Sequence, residues 1–191
     1  ATTAARIKGA AFGFTGQVCI STQRIYVHED IATEFTKALV AETDSLVIGD
    51  PADEATEISA LINSDATERI VTWISEAVAA GVVIECGGEV GDNGILSPTV
   101  LSGITADMKV SCAEVFGPVV GIATYTDFED ALARANDTIY GLHAAVFTKD
   151  IAKALRAADV LDFAGVLVNE VPTWRADHMP YGGIRESGNT R

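Results

Sequence analysis

Basic residues are scarce in this chain. Lys and Arg number 13 against 27 Asp and Glu, a formal net charge of −14. Nucleic-acid phosphates are met by clustered cations, so this balance argues against a nucleic-acid partner, and against an anionic membrane surface on the same ground. Cysteine is scarcer still. Cys19, Cys86 and Cys112 are an odd number with no paired spacing. That is not a disulfide framework, and it points to a reducing, cytoplasmic setting. CxxC, HxxxH and HExxH are all missing, so no metal site is signalled. No apolar run approaches the roughly 20 residues that span a bilayer, and no signal peptide is visible. There is no internal repeat and no low-complexity linker. The one Gly-rich stretch, "GGEVGDNG" (87–94), fits neither GxGxxG nor GxxxxGK[ST], so it is not a phosphate cradle.

What is present is enough apolar material for a core: 48% hydrophobic residues over 191 positions, the size of one domain or one lobe of a larger protein. The N-terminus "ATTAARIKGA" lacks Met and starts with small helix formers and no cap, and is expected to be the cut end of a longer protein.

Periodicity predicts an alternation of helices and strands. Residues 1–13 read as a helix leading to a turn at Gly16, and "QRIYVHE" (23–29) as a strand. Asp30 is expected to cap a helix with Ile31, Phe35, Ala38 and Leu39 on one face. A second helix follows Asp65, with Glu68 completing a capping box and Ile70, Trp73, Ile74, Ala77 and Val78 forming the stripe. Gly81 stops it, and 82–86 reads as a strand. "PVVGIATY" (118–125) is a continuous apolar run, as expected of a strand buried on both faces. Thr126 to Glu129 is a further capping box opening a helix. "HAAVFT" (143–148) is a strand, 150–158 a helix and "GVLVN" (165–169) a buried strand. The tail "PYGGIRESGNTR" is turn-rich. The pattern implies a three-layer α/β/α unit with a mostly parallel sheet, most simply a single domain.

Three segments could carry chemistry. In "FTGQVC" (14–19), Gly16 permits a tight turn between helix and strand. A thiol presented there beside backbone N–H groups can act as a nucleophile, although a cysteine is as readily a small core residue. In "AEVFGPV" (113–119), Glu114 could accept two hydrogen bonds from a ribose diol and Phe116 could pack on a flat ring. The structural alternative is a solvated carboxylate beside a core aromatic. In "VNEVPTWRADHMPYGG" (168–183) a strand ends at Asn169 and releases Trp174, Arg175, His178 and Tyr181. Loops after a strand's carboxyl end line sites in open α/β sheets, and Arg175 and His178 could bind an anion. An ordinary surface loop is the alternative. His28 and His143 read as structural.

Together the segments resemble the aldehyde dehydrogenase superfamily. "GQVC", "IGDP" (48–51), "SPTVL" (97–101), "EVFGPV", "ANDTIYGLHAAVFT" (135–148), "VLVN" (166–169) and "PYGGIRESG" (180–188) occur in the family's order and cover nearly the whole chain. "GQVCISTQRIYVHED" and "DHMPYGG" are similar to branches acting on lactaldehyde, on glyceraldehyde with or without its phosphate, and on phosphonoacetaldehyde.

The resemblance implies roles. Cys19 would attack the aldehyde carbonyl, in the Gly16–Gln17 motif, with its backbone N–H contributing to an oxyanion hole. The thiohemiacetal would lose hydride to NAD or NADP, leaving a thioester for water to hydrolyse. Glu114 would bind the nicotinamide-side ribose and Phe116 would pack near the nicotinamide. Asn169 would support the architecture near the catalytic loop. Trp174, Arg175, His178 and Tyr181 would lie at the substrate entrance. The family's nucleotide-binding domain, its oxyanion Asn and its general-base Glu precede the cysteine, and only 18 residues precede Cys19 here, none matching them. The resemblance therefore implies a catalytic domain over residues 1–191, trimmed at both ends and without the C-terminal oligomerisation strand. As cut it is expected to be inactive in dehydrogenation, and the full-length protein to be a homodimer or homotetramer. Ala113, Arg185 and His143 depart from common family residues. Gly13 stands where some succinate-semialdehyde enzymes carry an anion-binding Arg, which disfavours that substrate. Two readings of other classes stay open: a stand-alone cysteine hydrolase or esterase pairing Cys19 with a histidine, and a non-catalytic assembly module.

Overall fold

A computed structural model describes residues 2–189. Ala1, at the head of the expected first helix, and Thr190 and Arg191, at the end of the turn-rich tail, lie outside them. The chain falls into two compact units, residues 1–125 and 126–191.

In the first unit, helix α1 (Thr2–Phe12) runs into a short left-handed turn and then strand β1 (Arg24–His28). Helices α2 (Glu29–Asp44) and α3 (Ser64–Ala79), strands β2 (Val83–Cys86) and β3 (Thr99–Ser102), the single turn α4 (Lys109–Cys112) and strand β4 (Val119–Tyr125) follow. The sheet order is β1-β4-β3-β2. β4 pairs in parallel with β1, Arg24 opposite Gly121, and with β3, Thr99 opposite Val119. β2 joins the edge antiparallel.

The layering follows from strand periodicity, which sends alternate residues to opposite faces. Leu101, Val119 and Ala123 pack with Ile70, Ile74 and Ala77 of α3 and with Val110 of α4. Val100, Val120 and Ile122 have the opposite parity and are also buried, on the side where α1 and α2 cover the sheet. Both faces of β4 are thus inside, as its unbroken apolar run predicts. Full burial of a side chain such as Leu101 contributes about 1.5–3 kcal/mol.

In the second unit, α5 (Phe128–Asn136), β5 (Tyr140–Gly141), β6 (His143–Val146), α6 (Ile151–Val160), β7 (Gly165–Val168) and β8 (Ile184–Arg185) form two small sheets. β6 and β7 are parallel, β5 and β8 antiparallel. Leu132, Ala157 and Leu161 centre its core. Arg185 donates to the carbonyl oxygens of Asn136 and Asp162 at 2.9 and 2.6 Å and ion-pairs with Asp162 at 3.0 Å, so the departure from Lys at this position builds a planar clamp.

Three caps differ from expectation. α2 is capped by His28, whose Nδ1 accepts from the Asp30 N–H at 3.3 Å, not by Asp30. α3 is capped by Asn63, accepting from Ala66 N–H at 2.9 Å, not by Asp65. α5 is capped by Asp127, not Thr126. Each boundary offers neighbouring polar residues. The one that still has non-helical backbone, and so aims its acceptor at the open amides, becomes the cap. β7 is only half-buried: Val166 packs on the Leu132–Ala157–Leu161 core, but Val168, two residues on at the strand's end, is 43% exposed. α4, β5 and β8 are too short for periodicity to reveal.

Candidate active site

The segment that carries Cys19 is built by backbone strain. Phe14, Thr15 and Gly16 have φ of 55, 58 and 69°, three consecutive left-handed residues where only glycine is at ease. Thr15 is β-branched and is held there by its hydroxyl, which donates to Ser59 O at 3.3 Å and accepts from Ser59 N–H at 3.1 Å. Gln17 donates its backbone N–H to Phe14 O at 3.1 Å, and its Oε1 accepts from Ile62 N–H at 3.0 Å. Cys19 then stands at the second position of a turn closed by Ser21 N–H to Val18 O at 2.9 Å. The hydroxyl of Ser21 donates to Ala11 O at 3.0 Å, tying the turn to the end of α1. The outcome is a cysteine carried on a rigid loop with its side chain exposed, not a core residue. Cys112 is exposed as well. Cys86 is half-buried, and burial pushes its thiol up to about 11.

The second segment lies in the same unit. Glu114 and Phe116 are exposed and Val115 between them is 1% exposed, so the carboxylate and the ring stand outward on a buried anchor. Phe116 has φ 52°, which turns the chain into Gly117 and Pro118 at the head of β4. Gly16 abuts this turn: a Cβ there would lie 2.1 Å from Gly117 O. The Cys19 loop and the Glu114 turn are in direct backbone contact.

Two side chains that no motif marks, Gln23 and Arg69, hold this turn. Gln23 Nε2 donates to Ala113 O at 2.6 Å and Val110 O at 3.2 Å, while its Oε1 accepts from Val115 N–H at 2.9 Å. Arg69 Nη2 donates to Val115 O at 2.8 Å, with its guanidinium 4.6 Å from the Trp73 ring centroid. An amide residue at a strand's start, four places after the cysteine, was the only local signal for Gln23. Arg69 gives none, being a polar residue on an amphipathic helix.

In the second unit, Asn169 has φ 58°, and its side-chain amide makes both hydrogen bonds to the Thr148 backbone at 2.9 Å. Arg175 lies 5.0 Å from the Tyr181 ring centroid, and Tyr181 meets His143 edge-on at 5.5 Å. His143 Nδ1 is 2.7 Å from Pro172 O, so His143 is spent on holding the 170–183 loop. Trp174, Arg175, His178 and Tyr181 are all exposed. His28 is occupied in capping α2. Among the described residues, no group of three His, Cys, Asp or Glu is placed to hold a metal ion, and no helix is long and apolar enough to cross a membrane.

The architecture defines a mixed α/β protein with a mostly parallel sheet, carrying an exposed cysteine on a strained loop beside an outward carboxylate and ring. The aldehyde dehydrogenase family model matches residues 1–191, and the chain belongs to that family. It is 45% identical over 186 residues to the 3-sulfolactaldehyde dehydrogenase of Priestia aryabhattai, covering 97% of this chain and 39% of that protein. It is 45% identical over 174 residues to the lactaldehyde dehydrogenase of Methanococcus aeolicus, covering 91% and 37%. Among solved structures, aldehyde dehydrogenase 21 of Physcomitrella patens, in complex with succinate, superposes with a TM-score of 0.94 at 37% identity over 98% of this chain and 39% of that one. The glyceraldehyde-3-phosphate dehydrogenase GapN of Methanocaldococcus jannaschii, complexed with NADP, gives 0.92 at 36% identity, covering 97% and 40%. The chain thus spans about two fifths of the length of these relatives.

Proposed function

We propose that this chain is the nucleophile-bearing part of a longer NAD- or NADP-dependent aldehyde dehydrogenase that oxidises an aldehyde to a carboxylate. The observation that carries the reading is the exposure of Cys19 on a loop locked to the turn that presents Glu114 and Phe116. Cys19 attacks the aldehyde carbon as thiolate, forming a C–S bond and an alkoxide. The alkoxide collapses as its former aldehyde hydrogen departs with an electron pair, leaving a thioester on Cys19. Water then adds to the thioester and expels the Cys19 thiolate with the carboxylate product. The exposed carboxylate and ring of the 114–116 turn fit the ribose diol and flat ring of a nicotinamide nucleotide, and Glu114 and Phe116 would hold them. That nucleotide supplies the hydride acceptor. Asn169, bonded twice to Thr148, is a structural support in this scheme.

The substrate class is read from the 170–183 loop. Arg175 and His178 suit an aldehyde with an anionic or polyhydroxyl end, in line with relatives that are a 3-sulfolactaldehyde and a lactaldehyde dehydrogenase. A cytoplasmic setting agrees with three cysteines and no disulfide framework, and a homodimer or homotetramer is the assembly proposed for the longer enzyme. The hydrolase alternative is not favoured, since His28 and His143 are engaged in capping and loop support and His178 is read here as a substrate contact.

The deciding experiment uses the whole enzyme carrying this segment. Cys19→Ala should remove aldehyde-dependent reduction of NAD(P)+ by at least about 1,000-fold, and wild type should trap an aldehyde-derived thioester on the peptide containing Cys19. Retained turnover in Cys19→Ala sinks the reading.

A further inference from the structure

Glu114 and Phe116 stand outward, Phe116 with 42% of its surface exposed, so packing of their own side chains holds them only in part. What fixes them is the Val115 peptide between them. Its N–H is held by Gln23 Oε1 at 2.9 Å and its carbonyl by Arg69 Nη2 at 2.8 Å. The amide of Gln23 also reaches Ala113 O at 2.6 Å, on the other side of Glu114. One side chain therefore grips the backbone immediately before and after Glu114. Gln23 belongs to the Cys19 segment, four residues on, and is half-buried at the head of β1. Arg69 approaches from α3, its guanidinium seated on Trp73.

Resting on the reading of Glu114 and Phe116 as the cofactor-side contacts, we infer that Gln23 and Arg69 are positioning residues that set the nicotinamide-side turn relative to Cys19. The Gly16–Gly117 contact ties the two segments at one point and Gln23 at a second. Two points prevent the turn from pivoting about the glycine contact, as a single point could not. A glutamine suits the task because its amide both donates and accepts, and the turn offers one N–H flanked by carbonyls. A leucine of the same size leaves Val115 N–H and Ala113 O unpaired inside the protein.

The test is steady-state kinetics of the whole enzyme. Gln23→Leu should raise KM for NAD(P)+ roughly tenfold, and Arg69→Met roughly threefold, for the hydrogen bonds each loses. KM for the aldehyde should move less than about twofold in each, a split that general loosening of the core would not produce. Gln23→Glu keeps the acceptor for Val115 N–H but sets an acceptor against Ala113 O and Val110 O, so it should raise KM for NAD(P)+ as well; Gln23→Asn keeps both groups on a shorter stem and is the variant to read if Gln23→Leu does not fold. In the Glu114→Gln background, Gln23→Leu should add less than it does alone, since both act through one contact. Gln23 variants that fold with an unchanged KM for NAD(P)+, or with both KM values raised equally, overturn the inference. The reading of Glu114 is tested separately: it fails if Glu114→Gln leaves KM for NAD(P)+ unchanged.

Discussion

Gly16 rests on the backbone of Gly117, so closely that a Cβ at Gly16 would stand 2.1 Å from its carbonyl oxygen and 2.5 Å from its carbonyl carbon. Gly16 also has φ 69°. Both the space and the conformation demand glycine, and the obstacle is main chain that cannot swing aside. Gly16→Ala is expected to destabilise by roughly 2–4 kcal/mol through strain and overpacking, read as a lower thermal midpoint. Gly117→Ala is crowded by a side-chain end, the terminal methyl of Ile70 at 2.3 Å, with Leu61 at an ordinary 3.6 Å, and should cost less, about 1 kcal/mol. An equal fall in both variants would contradict this account.

The three thiols should separate by alkylation rate. Cys86 is half-buried with its pKa pushed up to about 11, so its thiolate fraction near pH 8 is about 100-fold below that of an ordinary cysteine. Iodoacetamide followed by peptide mass spectrometry should label Cys19 and Cys112 first and Cys86 last. If Cys19 is the nucleophile, it should also outpace Cys112, which is exposed too. Labelling of Cys86 at the rate of the other two would refute the burial argument.

Arg175 carries the substrate proposal. Arg175→Ala should raise KM about tenfold for an aldehyde bearing a sulfonate or phosphate, the loss expected for one charge-assisted contact. A neutral aldehyde should change by less than about twofold. Tyr181→Leu removes the ring beneath the guanidinium and should give a smaller shift of the same kind. Equal effects on charged and neutral aldehydes would reject the assignment.

Stability should fall at both ends of the pH scale for named reasons. The hydrogen bond from Arg156 holds the Glu129 carboxyl below the usual glutamate value. A carboxyl lowered in the folded state stabilises above its unfolded value and loses that contribution as pH falls through the folded one. Glu129→Gln should therefore flatten the decline in stability below about pH 4.5. The effect should be small, since the pair is exposed to solvent. Cys86 has the opposite sense: its folded pKa lies above its unfolded one, so stability should decline between about pH 9 and 11, and Cys86→Ala should remove that slope. Denaturant titrations at stepped pH check both signs.

The chain order of this protein was legible from one dimension. Unbroken apolar residues at 119–123 announce a strand covered on both faces, because no polar side chain is available for a wet one. The 3.6-residue stripe of Ile70, Ile74 and Ala77 announces α3. Family membership was likewise legible, since short segments around a turn keep their residues where backbone geometry leaves few choices. Helix caps were less so: Asn63, Asp127 and His28 sit beside other polar residues, and only dihedral angles choose among neighbours.

What tertiary structure alone decided is which distant groups meet. Gln23 and Val115 are 92 residues apart and Arg69 and Val115 46 apart. A lone amide or guanidinium has no periodicity that could announce such a partner. The same holds for Gly16, whose turn-forming role was readable but whose contact with Gly117 was not. The sequence determined that a cysteine stands on a turn and that a carboxylate and a ring lead into a strand. The fold decided that these two segments are locked together, because the parallel pairing of β1 with β4 brings their leading loops to the same end of the sheet.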